Sequence, residues 1–259
     1  MHATERDAII LRLIDESGFV SFQDLAAQLS ASPATLRRDL DRLENSQRLV
    51  RVRGGARAIG TSDGSSMRLQ GIPFHENVNR NRAEKEAIGR AAAALCRQGE
   101  AVIIDGGSTT LKMCPHLEPY NLQVLTNSLH IVGALLQQKN TRVTIPGGVV
   151  FREQNIVLDP FEDVVTRGFH ASRIFISSAA VSRFGLMQSD IILVQAERKL
   201  LQQADAVVAL IDSSKFQASA GHQLCELSKI HTLITDTGID DDSAKMIEDS
   251  GINLIRVPV

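Results

Sequence analysis

The sequence predicts an α/β protein in two parts: an N-terminal winged helix-turn-helix joined to a C-terminal open, mostly parallel α/β sheet domain. Three observations carry this expectation. Residues 1–57 hold nine Arg and no Lys, although the 259-residue chain balances 28 basic against 30 acidic residues. The same stretch contains three short segments with helical apolar spacing and capping signals. From Ala83 onward short apolar runs alternate with helical ones, the pattern of strands joined by crossover helices.

In chain order, Ile9, Ile10, Leu13 and Ile14 recur at helical spacing, with Gly18 as the stop. Ser21-Phe-Gln-Asp24 reads as a capping box opening a second helix, whose apolar stripe is Phe22, Leu25, Ala26 and Leu29. Ser32 caps a third helix with Pro33 at its first position, where a missing N–H costs nothing. Leu36, Leu40 and Leu43 share one face of it. Ala34, Arg38 and Asp41 face the other way, and Thr35 and Arg37 flank its start. A buried Leu stripe with Thr and Arg at the helix start is what a helix reading the major groove needs. Only Ser30-Ala31 separates the second helix from the Ser32 cap, which makes a helix-turn-helix. Leu49–Gly55 alternates apolar residues with Arg and turns on paired Gly, so it reads as a two-stranded wing with Arg51 and Arg53 on one side. Leu36–Arg57 carries seven Arg against three acids, and Arg is suited to bidentate contact with phosphate and guanine.

Gly60–Ser66 is Gly/Ser-rich and marks the boundary, giving residues 1–58 as a DNA-binding domain, 59–72 as linker and 73–259 as an α/β domain. Residues 67–82 are polar and show no period. Strands are expected at 101–104, 122–126, 142–145, 173–176, 206–211, 232–235 and 252–257. Helices are expected at 84–97, 108–117, 129–138, 190–203 and 241–249, with the stretch around 161–167 left open. In such a sheet ligands bind beyond the carboxyl ends of the strands. The residues there are Asp105-Gly-Gly-Ser-Thr-Thr110, Asn127-Ser128, Pro146-Gly-Gly148, Ser177-Ser178 and Asp212-Ser-Ser-Lys215. Gly106 and Gly107 let backbone approach a ligand. Ser108, Thr109 and Thr110 offer hydroxyls and N–H groups at a helix start, which favours an anion. Asn127-Ser128 opens another helix in the same manner, and Lys215 adds a positive charge. These loops together point to a phosphorylated small molecule. There is no GxxxxGK[ST] and no GxGxxG, so no nucleotide cofactor is expected.

Composition excludes other classes. Hydrophobic residues at 43% and charged residues at 22% fit a soluble globular chain. No run reaches the ~18 apolar residues of a membrane span, and no signal-peptide core follows Glu5, Arg6 and Asp7. Three scattered Cys argue against a disulfide framework or zinc knuckle, and a cytoplasmic location is expected. With no Trp and one Tyr, an aromatic platform for single strands is not expected. The seven His show no metal-ligand spacing.

Ser32-Pro-Ala-Thr-Leu-Arg-Arg-Asp-Leu40 resembles the signature of the DeoR family of bacterial transcriptional regulators. So do Val50-Arg-Val-Arg-Gly-Gly55, Phe74 through Lys85, Asp105–Thr109, Leu125-Thr-Asn-Ser128, Pro146-Gly-Gly148 and Asp212–Phe216, in the family's order over nearly the whole chain. The resemblance implies a winged helix-turn-helix repressor of a carbohydrate-catabolism operon. Its sensor domain would be similar in fold to ribose-5-phosphate isomerase, and a phosphorylated sugar would release it from double-stranded operator DNA. It implies DNA contacts from Ser32, Thr35, Arg37 and Arg38, joined by Arg51 and Arg53 of the wing. It implies an effector pocket built from Gly106 to Thr110, Asn127, Ser128, Gly147, Gly148 and Lys215, with Asp105 and Ser178 at the same strand ends. Glu197 and Lys199 match a charged stretch that serves either packing or ligand. The chain departs from the family at Ser178–Ser182, where a Gly-containing turn is common, and at Asp159-Pro-Phe-Glu162, where Gly-Pro is usual. Both departures bear on the sugar end of the pocket.

The alternative is a sugar-phosphate isomerase with an appended DNA-binding domain. It needs an acid/base pair in one pocket, and Asp105, Glu197, His170 and Lys215 are the candidates. The regulator reading carries no catalytic residue, and it expects a homodimer or homotetramer, because paired reading heads match paired half-sites.

Overall fold

The computed structural model describes residues 3–17, 19–29, 31–46, 48–52, 55–58, 69–158 and 168–259. Gly18, Ser30, Arg53, the Gly60–Ser66 stretch, Asp159–Glu162 and the 161–167 segment lie outside them. The chain divides into two units, residues 1–67 and 68–259.

The first unit runs α1 (Ala3–Ser17), β1 (Phe19–Ser21), α2 (Phe22–Leu29), α3 (Pro33–Asn45), β2 (Leu49–Val52) and β3 (Gly55–Ala58). The apolar stripes of the three helices meet in one core of Ile10, Ile14, Leu25, Leu29, Leu36, Leu40 and Leu43, all buried. The caps are where the sequence puts them. Ser21 Oγ accepts the Asp24 N–H at 3.1 Å, and Ser32 Oγ accepts the Thr35 N–H at 3.2 Å, leaving Pro33 at the helix start. The wing differs from the expected two-stranded ribbon. It is a three-stranded antiparallel sheet in the order β1-β3-β2, with Phe19 opposite Arg57 and Ser21 opposite Gly55. A three-residue strand wedged between two helices is too short to show a period of two.

The second unit is built on seven parallel strands. They are β4 (Ala101–Ile104), β5 (Gln123–Leu125), β6 (Arg142–Thr144), β9 (Ala171–Ile176), β12 (Ala204–Leu210), β14 (Thr232–Asp236) and β15 (Asn253–Val257). Their order is β15-β14-β12-β9-β4-β5-β6. Both faces are covered, so the strands alternate between two cores. Val102, Ile104 and Phe175 pack under α5 (Arg82–Ala93), while Ile103, Ile174 and Ile176 pack on the face carrying Val194 and Leu200 of α7 (Ile191–Leu201) and Ile247 of α8 (Asp241–Asp249). From β4 the chain winds outward to β5 and β6; it then returns to β9 on the other side of β4 and winds outward to β15. The reversal lies between β4 and β9, the switch point at which an open parallel sheet leaves a crevice.

Small antiparallel additions border that crevice: β7 (Val149–Phe151) with β8 (Ile156–Leu158), and β10 (Ala180–Ser182) with β11 (Gly185–Gln188) and β13 (His222–Cys225). The expected helix at 108–117 is instead a 3-10 helix over Thr110–His116, with Pro115 inside it; proline brings no N–H for an α-helical bond. The expected 129–138 helix is the shorter α6 (Leu129–Leu135). Residues 69–77, which show no sequence period, form a strap ending in the short α4 (Phe74–Asn77). Leu69 packs on Phe151, Ile156, Leu158 and Leu193, and the Gln70 N–H donates to Asp190 Oδ2 at 2.7 Å. Gln154 Nε2 donates to the Ile72 carbonyl at 3.0 Å, and the Phe74 ring stacks on His130 with centroids 4.3 Å apart.

Candidate functional site

On α3 the expected contacts split by what already holds them. Ser32 and Thr35 share a hydroxyl contact of 2.9 Å at the exposed helix start. Arg37 is exposed, with its guanidinium 5.7 Å above the Phe22 ring centroid, a cation–π contact that braces α2 against α3. Arg51 pairs with Asp41 and donates its backbone N–H to Glu44 Oε1 at 2.9 Å, tying the wing to α3. Arg38 is exposed, and no described residue pairs with it. Arg53 lies outside the described residues. Behind this face Asp39 is buried, accepting from Arg6 Nε at 2.6 Å and Arg42 Nη2 at 2.7 Å. That pair escapes a reading of apolar stripes, although Asp39 lies between Leu36 and Leu40 on the core face.

In the second unit a cleft of about 290 Å³ opens at the β4/β9 switch point. Of the expected effector residues it gathers Asp105, Gly106, Gly107, Ser108, Ser178 and Lys215. The glycines serve the protein itself more than a ligand. A Cβ on Gly107 would run into Ser177 Oγ, and one on Gly106 would sit 2.6 Å from Ile156 Cγ2. They let the β4 loop seat against the β9 loop and β8. Among the described residues no protein acceptor takes the N–H of Ser108 or Thr109.

The other six expected effector residues lie off the cleft. Thr110 is a fully buried latch, its hydroxyl accepting the Gly107 N–H at 2.9 Å and bonding the Asp105 carbonyl at 2.6 Å. Thr109 is buried beside it. Asn127 and Ser128 sit against β8, where the Val157 N–H donates to the Asn127 carbonyl at 2.8 Å and Ile156 bridges to Ser128, while Asn127 Oδ1 is buried next to Gly106 without a partner among the described residues. Ser128 Oγ caps α6 at Ile131. Gly147 and Gly148 are exposed in the turn from β6 to β7, where Gly148 adopts φ 138°.

Other lining residues come from the strap and β11, which show no legible period, and from the expected helix α7. The strap contributes Gln70, Ile72, Phe74 and Asn77; β11 contributes Gln188; α7 contributes Glu197. Asn77 is held from behind by Lys85, whose Nζ donates to the Asn77 carbonyl and, at 3.2 Å, to its Oδ1. Burial pushes the Lys85 amine down to about 8, against the pull of Asp212. Asp212 is itself buried, with Oδ1 accepting from Asn81 at 2.8 Å and from Ser214, and Oδ2 without a partner. Burial pushes the Asp105 carboxyl up to about 6. Glu197 is raised by burial and then by Asp105, against hydrogen bonds of 2.8 and 2.9 Å from Gln188 Nε2 to its two oxygens. His170 is exposed, away from the cleft, and 2.8 Å from Asp205. Lys199 is exposed. Among the described residues no group of three or more His, Cys, Asp or Glu is placed to hold a metal ion, and no helix is long and apolar enough to cross a membrane.

A reading helix beside a wing in one unit and a polar cleft at a sheet switch point in the other agree with what the chain is similar to. Residues 6–62 match the DeoR-like helix-turn-helix domain, and residues 80–237 match the DeoR C terminal sensor domain. The HTH-type transcriptional regulator UlaR of Shigella dysenteriae serotype 1 is 31% identical over 257 residues, covering 99% of this chain and 100% of that protein. UlaR of Salmonella arizonae matches to the same extent. Among solved structures, ribose 5-phosphate isomerase A from Methanocaldococcus jannaschii overlaps 52% of this chain and 55% of its own at 15% identity and a TM-score of 0.39. The two domain matches in order, and the full-length identity to named regulators, place this chain in the DeoR family of DNA-binding transcriptional regulators.

Proposed function

We propose that the protein is a cytoplasmic repressor of a carbohydrate-catabolism operon, released from double-stranded operator DNA when a phosphorylated sugar or sugar derivative fills the β4/β9 cleft. Residues 1–58 carry the operator contacts, residues 73–259 the effector site, and 59–72 join them, the last of these also forming a wall of the cleft. The cleft is the observation that carries this reading: Lys215 and Ser108 both line it, and among the described residues the Ser108 N–H has no protein acceptor. A phosphate suits these groups, because N–H groups and an ammonium complement its charge. Naming of the relatives as regulators favours this over the isomerase.

Release follows from linkage. Effector and operator favour different arrangements, so each weakens the other by the same factor, with coupling of about 1–3 kcal/mol. The strap is the natural carrier, since Gln70 and Ile72 line the cleft at the end of the joining segment. Paired operator half-sites call for a homodimer or homotetramer.

The test is a melting-temperature screen of the full chain against sugars and their phosphates. A ligand at ~100 times its Kd adds about 2.7 kcal/mol, a shift of several degrees. A shift with a sugar phosphate and none with the free sugar, lost in the Ser108→Ala/Lys215→Ala double variant, supports the reading; no shift with any phosphate overturns the effector assignment. On the DNA side, Arg38→Ala is expected to cost about 1–3 kcal/mol of specific operator affinity in a binding titration, and an unchanged affinity removes Arg38 from base reading.

A further inference from the structure

The cleft contains two buried acids that the phosphate end does not use. Asp105 and Glu197 are both 4% exposed and both line it, one from the end of β4 and the other from the middle of α7. Glu197 receives Gln188 Nε2 on both carboxyl oxygens, so its head is fixed in position. Among the described residues no basic side chain bonds either carboxyl. Lys215 is the one basic residue among the described lining residues, and the rest of the wall is amide, hydroxyl and apolar. One anion therefore has a place in this cleft, beside Lys215 and Ser108, and a second does not.

We propose that Glu197, with Asp105, determines effector specificity by bonding hydroxyl groups on the ligand's body, so that the cleft takes a neutral polyhydroxylated monophosphate and rejects a sugar-acid phosphate. A hydroxyl can donate to a carboxylate and accept from a carboxylic acid, so it satisfies the pair in either protonation state. A ligand carboxylate at the same place meets a like charge in a poorly solvated site, which costs both bonding and Coulomb energy. Neutral body and single phosphate are the chemistry that this arrangement of charges recognises. The inference rests on the cleft being the effector site.

Discrimination is expected to depend on pH. The groups facing Glu197 are Asp105 from the β4 loop, Cys225 from β13 and Lys215 from the β12 loop. Burial pushes the Cys225 thiol up to about 11, so it stays neutral. Asp105, pushed up to about 6 by burial, changes charge just below neutrality; Glu197 is shifted upward by burial and by Asp105, and acidification weakens the repulsion that an ionised carboxyl exerts on a ligand carboxylate.

The experiment titrates the full chain with matched phosphates of one carbon skeleton, an alditol or aldose phosphate against the aldonic acid phosphate, at about pH 7.5 and about pH 5.5. The phosphate is common to each pair, so its own titration cancels in the ratio. The expected result is at least about tenfold preference for the neutral member at the higher pH, shrinking at the lower. In Glu197→Gln the preference is expected to shrink and to keep only the pH dependence that Asp105 supplies, and Asp105→Asn, as a second isosteric variant, should also shrink it. Equal or tighter binding of the aldonic acid phosphate, or an undiminished preference in folded Glu197→Gln and Asp105→Asn, overturns the proposal while leaving the effector cleft in place. Failure of every phosphate to bind overturns the cleft assignment itself.

Discussion

Each unit of this protein buries aspartate, and the surroundings answer that burial in opposite ways. Asp39, in the first unit, is 1% exposed and takes hydrogen bonds from Arg6 and Arg42; Arg42 also reaches Asp7 at 2.6 Å. Burial acts to raise Asp39, but the Arg6 and Arg42 hydrogen bonds outweigh it, so its carboxyl titrates below the usual aspartate range. Asp105, in the second unit, is 4% exposed with no cation on it, and burial raises it to about 6. The first arrangement clips α1 to α3, setting the reading helix on its support. The second leaves bonding capacity facing a cleft. An acid satisfied by its own chain is packing; an acid buried without a cation is held for something that arrives later.

The strongest way to break this contrast is to remove each aspartate. Asp39→Ala takes the shared carboxylate away from Arg6 and Arg42, and removing one partner of a buried pair is expected to destabilise the first unit by about 3 kcal/mol. The value sits at the low end because both arginines keep some access to water. Urea unfolding of the full chain, with hydrogen exchange read in α1 and α3, measures it. Asp105→Asn should act with the opposite sign. It keeps the shape and removes a charge that burial disfavours by roughly two pKa units, so it is expected to stabilise the second unit by about 1–3 kcal/mol at neutral pH. A loss of stability in Asp105→Asn comparable to that in Asp39→Ala would erase the distinction.

The two units also differ in how far the sequence discloses them. In the first, local rules act alone: Ser32 caps, Pro33 starts, and Leu36, Leu40 and Leu43 bury as their spacing requires. What escapes there is long-range. The Arg6–Asp39 pair spans 33 residues, and β1 is defined only by its partner β3. In the second, the seven sheet strands follow from alternating apolar runs, and with them the strand-end positions of the loop at Asp105–Ser108, Ser178 and Lys215; the strand order, and so the switch point, does not. The strand-end rule also names Asn127, Ser128, Gly147 and Gly148, which are not among the residues lining the cleft, and nothing local signals that β8 packs on the loop after β5. It also passes over the strap and Gln188, whose places in the cleft depend on contacts across 82 and 9 residues. Glu197 is visible as a charge on a helix, but only its burial beside Asp105 separates it from exposed Lys199.

The smallest expected effect, and the finest test of the comparison, is the response to acid. A carboxyl raised in the folded state weakens folding above its folded pKa, and this penalty is relieved as pH falls toward the ordinary aspartate value near 4. Asp105 therefore makes the second unit gain stability between about pH 7 and about pH 5. Asp39 is lowered, so its contribution is complete above the ordinary aspartate value; it is lost only as pH falls through its folded pKa, below that window. His130 works against Asp105 in the same unit. Burial lowers its pKa, so acidification forces a proton onto a side chain packed under Phe74 and costs stability. The wild-type profile alone mixes these two effects. Subtracting the profile of Asp105→Asn cancels His130, and the difference should grow more favourable to the wild type as pH falls from about 7 to about 5, by about 1 kcal/mol in total and mostly below about pH 6. A flat difference would mean that Asp105 is solvated or paired in solution, and the cleft would then hold no acid waiting for a hydroxyl.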